Sequence, residues 1–327
     1  MKSAHHSNSP FTMKACSFLP AVTQMIYDMD LQDNLYGVTF ECPAEALKEK
    51  PWLVRCVLEG KQYSSAEIDK IFSASKAEGR SLYYVDEELL QQIEPDVIFT
   101  QDICEICQID TRCTEAAVAK LKKQPLLVSI SPQSLDDVYD SALTIATALG
   151  KEESAYNYWG SLKKRTDIIL DRLRSYRMPL KRVSLLEWID PVYNCGHWIP
   201  FQIAQAGGID MLGNPAGDSI VTPWEKIIRY DPEIIVIAPC GFETKRARQE
   251  MPLLMQKTGW NTIKAVRTKQ VYLADYDLFT QPSASTLTDG IELLAALFHP
   301  ELFNVPPKLQ NKYLPFYKIP DHVYART

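Results

Sequence analysis

The chain has 327 residues, of which 46% are apolar and 23% charged, an ordinary globular composition that argues against a disordered, collagen-like or coiled-coil protein. Its 35 basic and 41 acidic residues leave a formal charge of −6 with no basic block, which argues against a dedicated nucleic-acid binder. No apolar run reaches the roughly 18 residues of a membrane span, and the polar start from Met1 to Phe11 lacks the basic head and apolar core of a secretory signal.

As written, the chain therefore reads as soluble and cytoplasmic, or as periplasmic or extracellular if a leader has been removed. The length suggests about two domains of ordinary size. Eight cysteines are too few for a small disulfide scaffold at this length, and in a reducing compartment they read mainly as buried thiols.

In chain order, a tail over residues 1–12 precedes an α/β lobe over 13–150. It opens with a strand at Lys14 to Ser17, a helix, and a strand at Leu35 to Val38. Glu94-Pro95-Asp96 then stops a helix and leads into Val97-Ile98-Phe99-Thr100, because proline removes a backbone donor and restricts the residue before it. The β-branched run that follows is apolar on both faces, as a covered parallel strand must be. Pro125 to Ile130 supplies a further strand.

The second half repeats this plan. Arg182 to Trp188, then Ile209 to Gly213, then Asp231-Pro232-Glu233 before Ile234-Ile235-Val236-Ile237, then Val271 to Ala274 follow the same order. A second α/β lobe is thus expected over 181–300. Between the two, Ala155, Trp159, Leu162, Thr166, Ile169, Leu173 and Tyr176 form one stripe of a helix within 151–180. That helix is long enough to bridge two lobes rigidly. Helix starts are signed by Ser64 with Glu67, Ser134 with Asp136 and Asp137, and Thr222-Pro223-Trp224-Glu225. The proline-rich segment 301–327 reads as an extended strap. The fold class is α/β, with two Rossmann-like lobes and parallel sheets bridged by one long helix.

Ligands of open parallel sheets bind beyond the carboxyl ends of the strands. The expected cleft segments are 20–24, 41–43, 100–107, 190–198, 240–242 and 274–281, rich in aromatic, thiol and amide side chains and suited to a large planar guest. Phosphate loops and a G-x-S-x-G elbow are absent. Trp188, Trp198, Trp224, Tyr276 and Phe279 are candidates to wall an apolar ligand, against the ordinary alternative of core packing. His197, in Cys195-Gly196-His197-Trp198, is a candidate to approach a metal through a neutral ring nitrogen. Cys104-Glu105-Ile106-Cys107, with Cys113, Cys42 and Cys195 elsewhere, leaves open structural thiols, a zinc or iron site formed by Cys104, Cys107 and His197, or a redox dithiol.

Several motifs resemble the class III periplasmic-binding-protein superfamily, the vitamin B12 and iron-chelate binders of ABC importers. They are Ser17 to Thr23, Gly37 to Pro43, Glu94 to Ile98, the central helix, and Asp231 to Ile235. A narrower similarity, to a leaderless branch labelled cobalamin-binding protein, rests on Thr100-Gln101-Asp102-x-Cys104-Glu105-x-Cys107, Gly196-His197-Trp198-x-Pro200 and Ala238-Pro239-Cys240-Gly241-Phe242.

The resemblance spans about residues 13 to 303. It implies a non-enzymatic binder holding cobalamin or another metal chelate between the lobes, with a small hinge motion and an ABC-transporter permease as partner. Carried onto this chain, contacts would fall on Pro20, Thr23, Cys42, Gln101 and Cys104, on the aromatic residues and His197 above, and on Gly241 and Phe242. The competing readings are a metal–thiolate or redox protein using Cys104 and Cys107 with Cys42 and His197, and an interaction scaffold with an empty cleft.

Overall fold

The computed structural model describes residues 13–318 apart from 62, 79 and 102–110. The first half builds one sheet from β1 (Ala15–Ser17), β2 (Leu35–Thr39), β3 (Trp52–Cys56), β4 (Tyr83–Val85), β5 (Val97–Thr100) and β6 (Leu126–Ser129). Their order across the sheet is β4-β3-β2-β1-β5-β6, all parallel except the edge strand β4.

In the second half, β7 (Lys181–Trp188) turns back through the antiparallel β8 (Tyr193–Asn194) into β9 (Gly196–His197). β10 (Gly208–Ile209) returns parallel to β7. β11 (Asn214–Pro215) pairs with β9, and β12 (Ile220–Val221) with β8. On the other side of β7 lie β13 (Ile234–Ile237), β14 (Val271–Ala274) and the antiparallel edge strand β15 (Tyr313–Pro315).

The run β2-β1-β5-β6 in one sheet thus has its counterpart in β10-β7-β13-β14. The repeat extends to the turns. The helices Glu87–Ile93 and Trp224–Tyr230 both end on a left-handed residue, Glu94 at φ 50° and Asp231 at φ 48°. Each precedes a proline that prevents the helix from continuing. The strands that follow, β5 and β13, are buried at every position, as apolar parallel strands covered on both faces should be.

The bridging helix runs Glu152–Ser175, about 36 Å at 1.5 Å per residue. Its buried stripe is Ala155, Tyr158, Leu162, Thr166, Ile169 and Leu173. Trp159 and Tyr176, expected in that stripe, are 44% and 66% exposed. The expected spacing repeats every 3.5 residues and drifts off one face of a straight helix, whereas the observed spacing keeps the 3.6 period. Tyr158 also has a polar role at the interface. Its hydroxyl donates to Asp28 Oδ2 at 2.8 Å and accepts from the Ser285 amide at 2.9 Å, joining the first lobe, the bridge and the second lobe.

One apolar core connects all three parts. It runs from Leu19, Val22 and Met25 through Leu162 and Ile169 to Ile203, Leu287 and Ile291. Capping follows the sequence at Ser134, which forms a reciprocal box with Asp137, and at Ser64 with Glu67. It does not at Thr222: the helix there begins from Pro223 without a side-chain cap, and the Thr222 hydroxyl donates to the Ile220 carbonyl instead. The strap is more ordered than an extended surface segment. Leu302, Phe303 and Val305 pack on the core, and β15 completes the second sheet. Among the described residues, no helix is long and apolar enough to cross a membrane.

Candidate ligand cleft

A cavity of about 660 Å³ opens between the lobes. Its lining comes from the carboxyl ends of strands in both sheets: Phe40 and Glu41 after β2, Leu58 after β3, Gln101 after β5, Glu187 and Trp188 at the end of β7, Gly241 and Phe242 after β13, and Tyr276 after β14. Parallel strands end there with unpaired backbone and variable loops, so the edge that cannot continue the sheet becomes the binding edge.

The walls are aromatic. Phe40, Phe72 and Tyr83 line the first-lobe side, and Trp188, Tyr193, Trp198, Phe242 and Tyr276 the second-lobe side. The Trp188 and Phe242 rings lie 5.3 Å apart at 48°, and those of His197 and Trp198 lie 5.3 Å apart at 30°. Such surfaces offer broad apolar faces at little entropic cost. The Trp188 indole Nε1 and the His197 Nδ1 are both buried without a hydrogen-bond partner among the described residues.

The Gly196-His197-Trp198 motif is tightly held. A Cβ on Gly196 would stand 2.4 Å from the Ser219 nitrogen and 2.5 Å from the Gly217 oxygen, so only glycine fits between the two loops. The Gly196 amide donates to Glu187 Oε2 at 2.9 Å, and the Ser219 hydroxyl donates to the same oxygen. His197 follows in the left-handed region at φ 51°, a conformation uncommon outside glycine. Its amide bonds the Gly217 carbonyl at 2.6 Å, and its carbonyl accepts from Ala216 at 3.0 Å. Burial holds its imidazole below the ordinary pKa, so the ring is neutral near pH 7. The Trp198 indole is anchored by a bond to the Phe279 carbonyl at 2.6 Å.

Of the residues expected at the site, Gln101, Trp188, His197, Trp198, Gly241, Phe242 and Tyr276 line this cavity. Pro20, Thr23, Cys42, Trp224 and Phe279 do not. Pro20 starts the helix Pro20–Asp28 and is buried. Cys42 donates to the Thr23 hydroxyl at 3.1 Å inside the first lobe, and burial pushes its thiol up to about 12. Phe279 is fully buried in the shared core and contributes to the cleft only by holding Trp198. Trp224 stacks on Trp260 at 6.0 Å and bonds the Thr258 carbonyl, packing against the second lobe.

Cys104 and Cys107 lie outside the described residues. Cys195 is also withdrawn from the cleft: it is fully buried, with Sγ 3.7 Å from Asp210. Among the described residues, no group of three His, Cys, Asp or Glu side chains could hold a metal ion. The thiolate site expected from Cys104 and Cys107 with Cys42 and His197 rests on two residues outside that description.

Sequence reasoning gave no role to the carboxylates of Glu59, Asp69 and Asp218. Glu41, Glu59, Asp69, Glu187 and Asp218 all line the cavity. Glu41 followed a strand on a segment already expected at the cleft, which was the available signal. Burial, with help from the negative charge of Glu59, pushes the Glu41 carboxyl up to about 7. Tyr276 is raised well above its ordinary range by burial first and Glu41 second.

A sequence profile of the periplasmic binding protein family matches residues 57–278, more than half of the chain. No curated protein matches the chain in a sequence search. Among solved structures, a periplasmic heme binding protein from Pseudomonas aeruginosa is similar at TM-score 0.67 and 17% identity, covering 89% of this chain and 94% of its own. A periplasmic vitamin B12 binding protein of Vibrio cholerae is similar at TM-score 0.61 and 14% identity, covering 88% and 97%. An ABC-type Fe3+-hydroxamate transport protein from Saccharomonospora viridis is similar at 0.62 and 14%, covering 88% and 93%. At these identities the structural likenesses show the fold alone. With the matched profile and the twin-sheet architecture together, the chain belongs to the periplasmic binding protein family.

Proposed function

We propose that the chain is a non-enzymatic binding protein that holds a metal chelate, a corrinoid or an iron complex, between its lobes and presents it to an ABC-transporter permease. The observation that carries this reading is the cavity of about 660 Å³ walled by Phe40, Phe72, Tyr83, Trp188, Trp198, Phe242 and Tyr276. Its volume is in the range of small-molecule sites, and the walls offer flat apolar faces to a flat guest. Family membership and the ligands of the similar heme, vitamin B12 and ferric-hydroxamate proteins support the same class.

The reading is tested by calorimetric titration with a corrinoid, haemin and a ferric hydroxamate, alongside the fluorescence of Trp188 and Trp198. One saturable site with tryptophan quenching is expected for at least one of them. A protein that binds none at micromolar concentration overturns the reading. Trp188→Ala is expected to weaken the guest about tenfold, or about 1.4 kcal/mol.

A further inference from the structure

The cavity is apolar over most of its surface, and the charged side chains among its described lining residues are all acidic. Five carboxylates line it, with no lysine or arginine among the described lining residues. Two of the five are engaged. Glu59 is paired with Arg55 at 2.6 Å, and Glu187 accepts from Gly196 and Ser219. Arg246 approaches the edge of the cleft over the Phe242 ring at 4.7 Å, but its guanidinium is occupied by Glu250 and the Tyr63 carbonyl. The carboxylates of Glu41, Asp69 and Asp218 accept no hydrogen bond from any described residue. Glu41, half-buried, lies near enough to Tyr276 to raise its phenol, and the imidazole of His197 is neutral. Unpaired carboxylates beside apolar walls oppose a second negative charge and accept from N–H donors.

We infer that the cleft selects its guest by charge, taking a neutral or cationic chelate whose rim carries amide or ammonium N–H groups, with Glu41 as the specificity-determining acceptor and Asp69 and Asp218 as supporting charges. This rests on the chelate-binding reading above and narrows it. A corrin ring edged by carboxamides, or a cationic ferric hydroxamate, meets the aromatic walls with its faces and the carboxylates with its donors. A porphyrin with two propionates, or a ferric tris-catecholate of net charge −3, presents anions where the described lining offers no lysine or arginine to receive them.

The test is a calorimetric comparison of four probes: cationic aquacyanocobinamide, cationic ferrioxamine B, haemin and a ferric tris-catecholate, each with the unmodified chain, Glu41→Gln and Asp218→Asn. The cationic probes are expected to bind at least tenfold tighter than the anionic ones. Glu41→Gln is expected to cut that ratio several-fold, with the fold checked by melting curve. Asp218→Asn, at an exposed position, gives a smaller change in the same direction and serves if Glu41→Gln fails to fold. Tighter binding of haemin or the catecholate, or a charge order that neither variant changes, overturns the charge inference while leaving chelate binding in place. Absence of binding by all four overturns both.

Discussion

The amide of Ser65, in the first lobe, donates to Glu250 Oε1, in the second, at 2.9 Å. The bond joins the start of the helix Ser65–Ala77 to the helix Thr244–Met255 beside the cleft. The same carboxylate takes Arg246 at 2.7 Å, and Arg246 also bonds the Tyr63 carbonyl. A carboxylate at a helix start satisfies a free N–H and meets the positive end of the helix dipole. Glu250 is 6% exposed, so the contact is poorly screened. Ile68, one turn along, packs into the apolar cluster of the second lobe and also lines the cavity. The contact is placed to latch the lobes together.

Glu250→Ala should therefore loosen the latch. Removing the acceptor leaves the Ser65 amide and the Arg246 guanidinium short of a partner, at a cost of about 1–3 kcal/mol. The expected result is a lower melting temperature and faster guest release in stopped-flow exchange. Unchanged release with a lowered melting temperature would assign the contact to stability alone.

Glu41 gives the unliganded protein a distinctive pH profile. Its carboxyl titrates at about 7 in the fold and near 4.3 in an unfolded chain. Between those values the folded state holds a proton that the unfolded state has lost. Stability should thus be fully present below the unfolded pKa and decline as pH rises through about 7. Glu59, Cys56, Cys42 and Tyr276 are the titratable groups coupled to it, and the thiols and phenol stay neutral throughout that window. Denaturant melts at pH 5, 6, 7 and 8 should show the decline, and Glu41→Gln should flatten it.

The polar knot of Asp28, Tyr158 and Ser285 ties both lobes to the bridge. Tyr158→Phe keeps the ring in the core but removes one donor from Asp28 and one acceptor from the Ser285 amide. A loss of about 1–2 kcal/mol is expected in denaturant titration. Guest affinity, read by calorimetry, should change less than twofold, because Tyr158 is not among the cavity-lining residues.

Trp224 and Gly196 should behave in opposite ways. Trp224→Ala empties a half-buried site against Trp260 and should lose on the order of 2 kcal/mol of stability, with affinity intact. Gly196→Ala forces a methyl group into the backbone at Gly217 to Ser219. That displaces Ser219, which lines the cavity, and disturbs the carboxylate of Glu187. At least a tenfold loss of affinity is expected. Equal affinity losses in both variants would contradict the positions described for these residues.

Local rules carried the sequence reading a long way because helix stops, apolar strands and strand ends are short-range signals. Glu94-Pro95 and Asp231-Pro232 could be recognised without knowing what surrounded them, and the strands after them located the binding edge. Which member of a pair faced that edge was not legible. Trp198 and Trp224 have the same chemistry, and only their distant carbonyl partners, Phe279 for one indole and Thr258 for the other, separate them. Tyr158 was passed over for Trp159 because its partners, Asp28 and Ser285, lie 130 and 127 residues away in sequence. The acidity of the cleft was missed for the same reason: Glu41 and Asp218 come from distant loops and Asp69 from the helix Ser65–Ala77, and they become one electrostatic feature only when the halves meet.

The apolar interior common to both sheets and the bridge bears on how the molecule comes apart. A protein severed near residue 150 would yield two fragments, each with a wide greasy flank bared to solvent, and neither should survive alone at working temperature. Heating the intact chain should then give one sharp calorimetric peak rather than two, the whole molecule melting as a single cooperative unit despite its twofold plan.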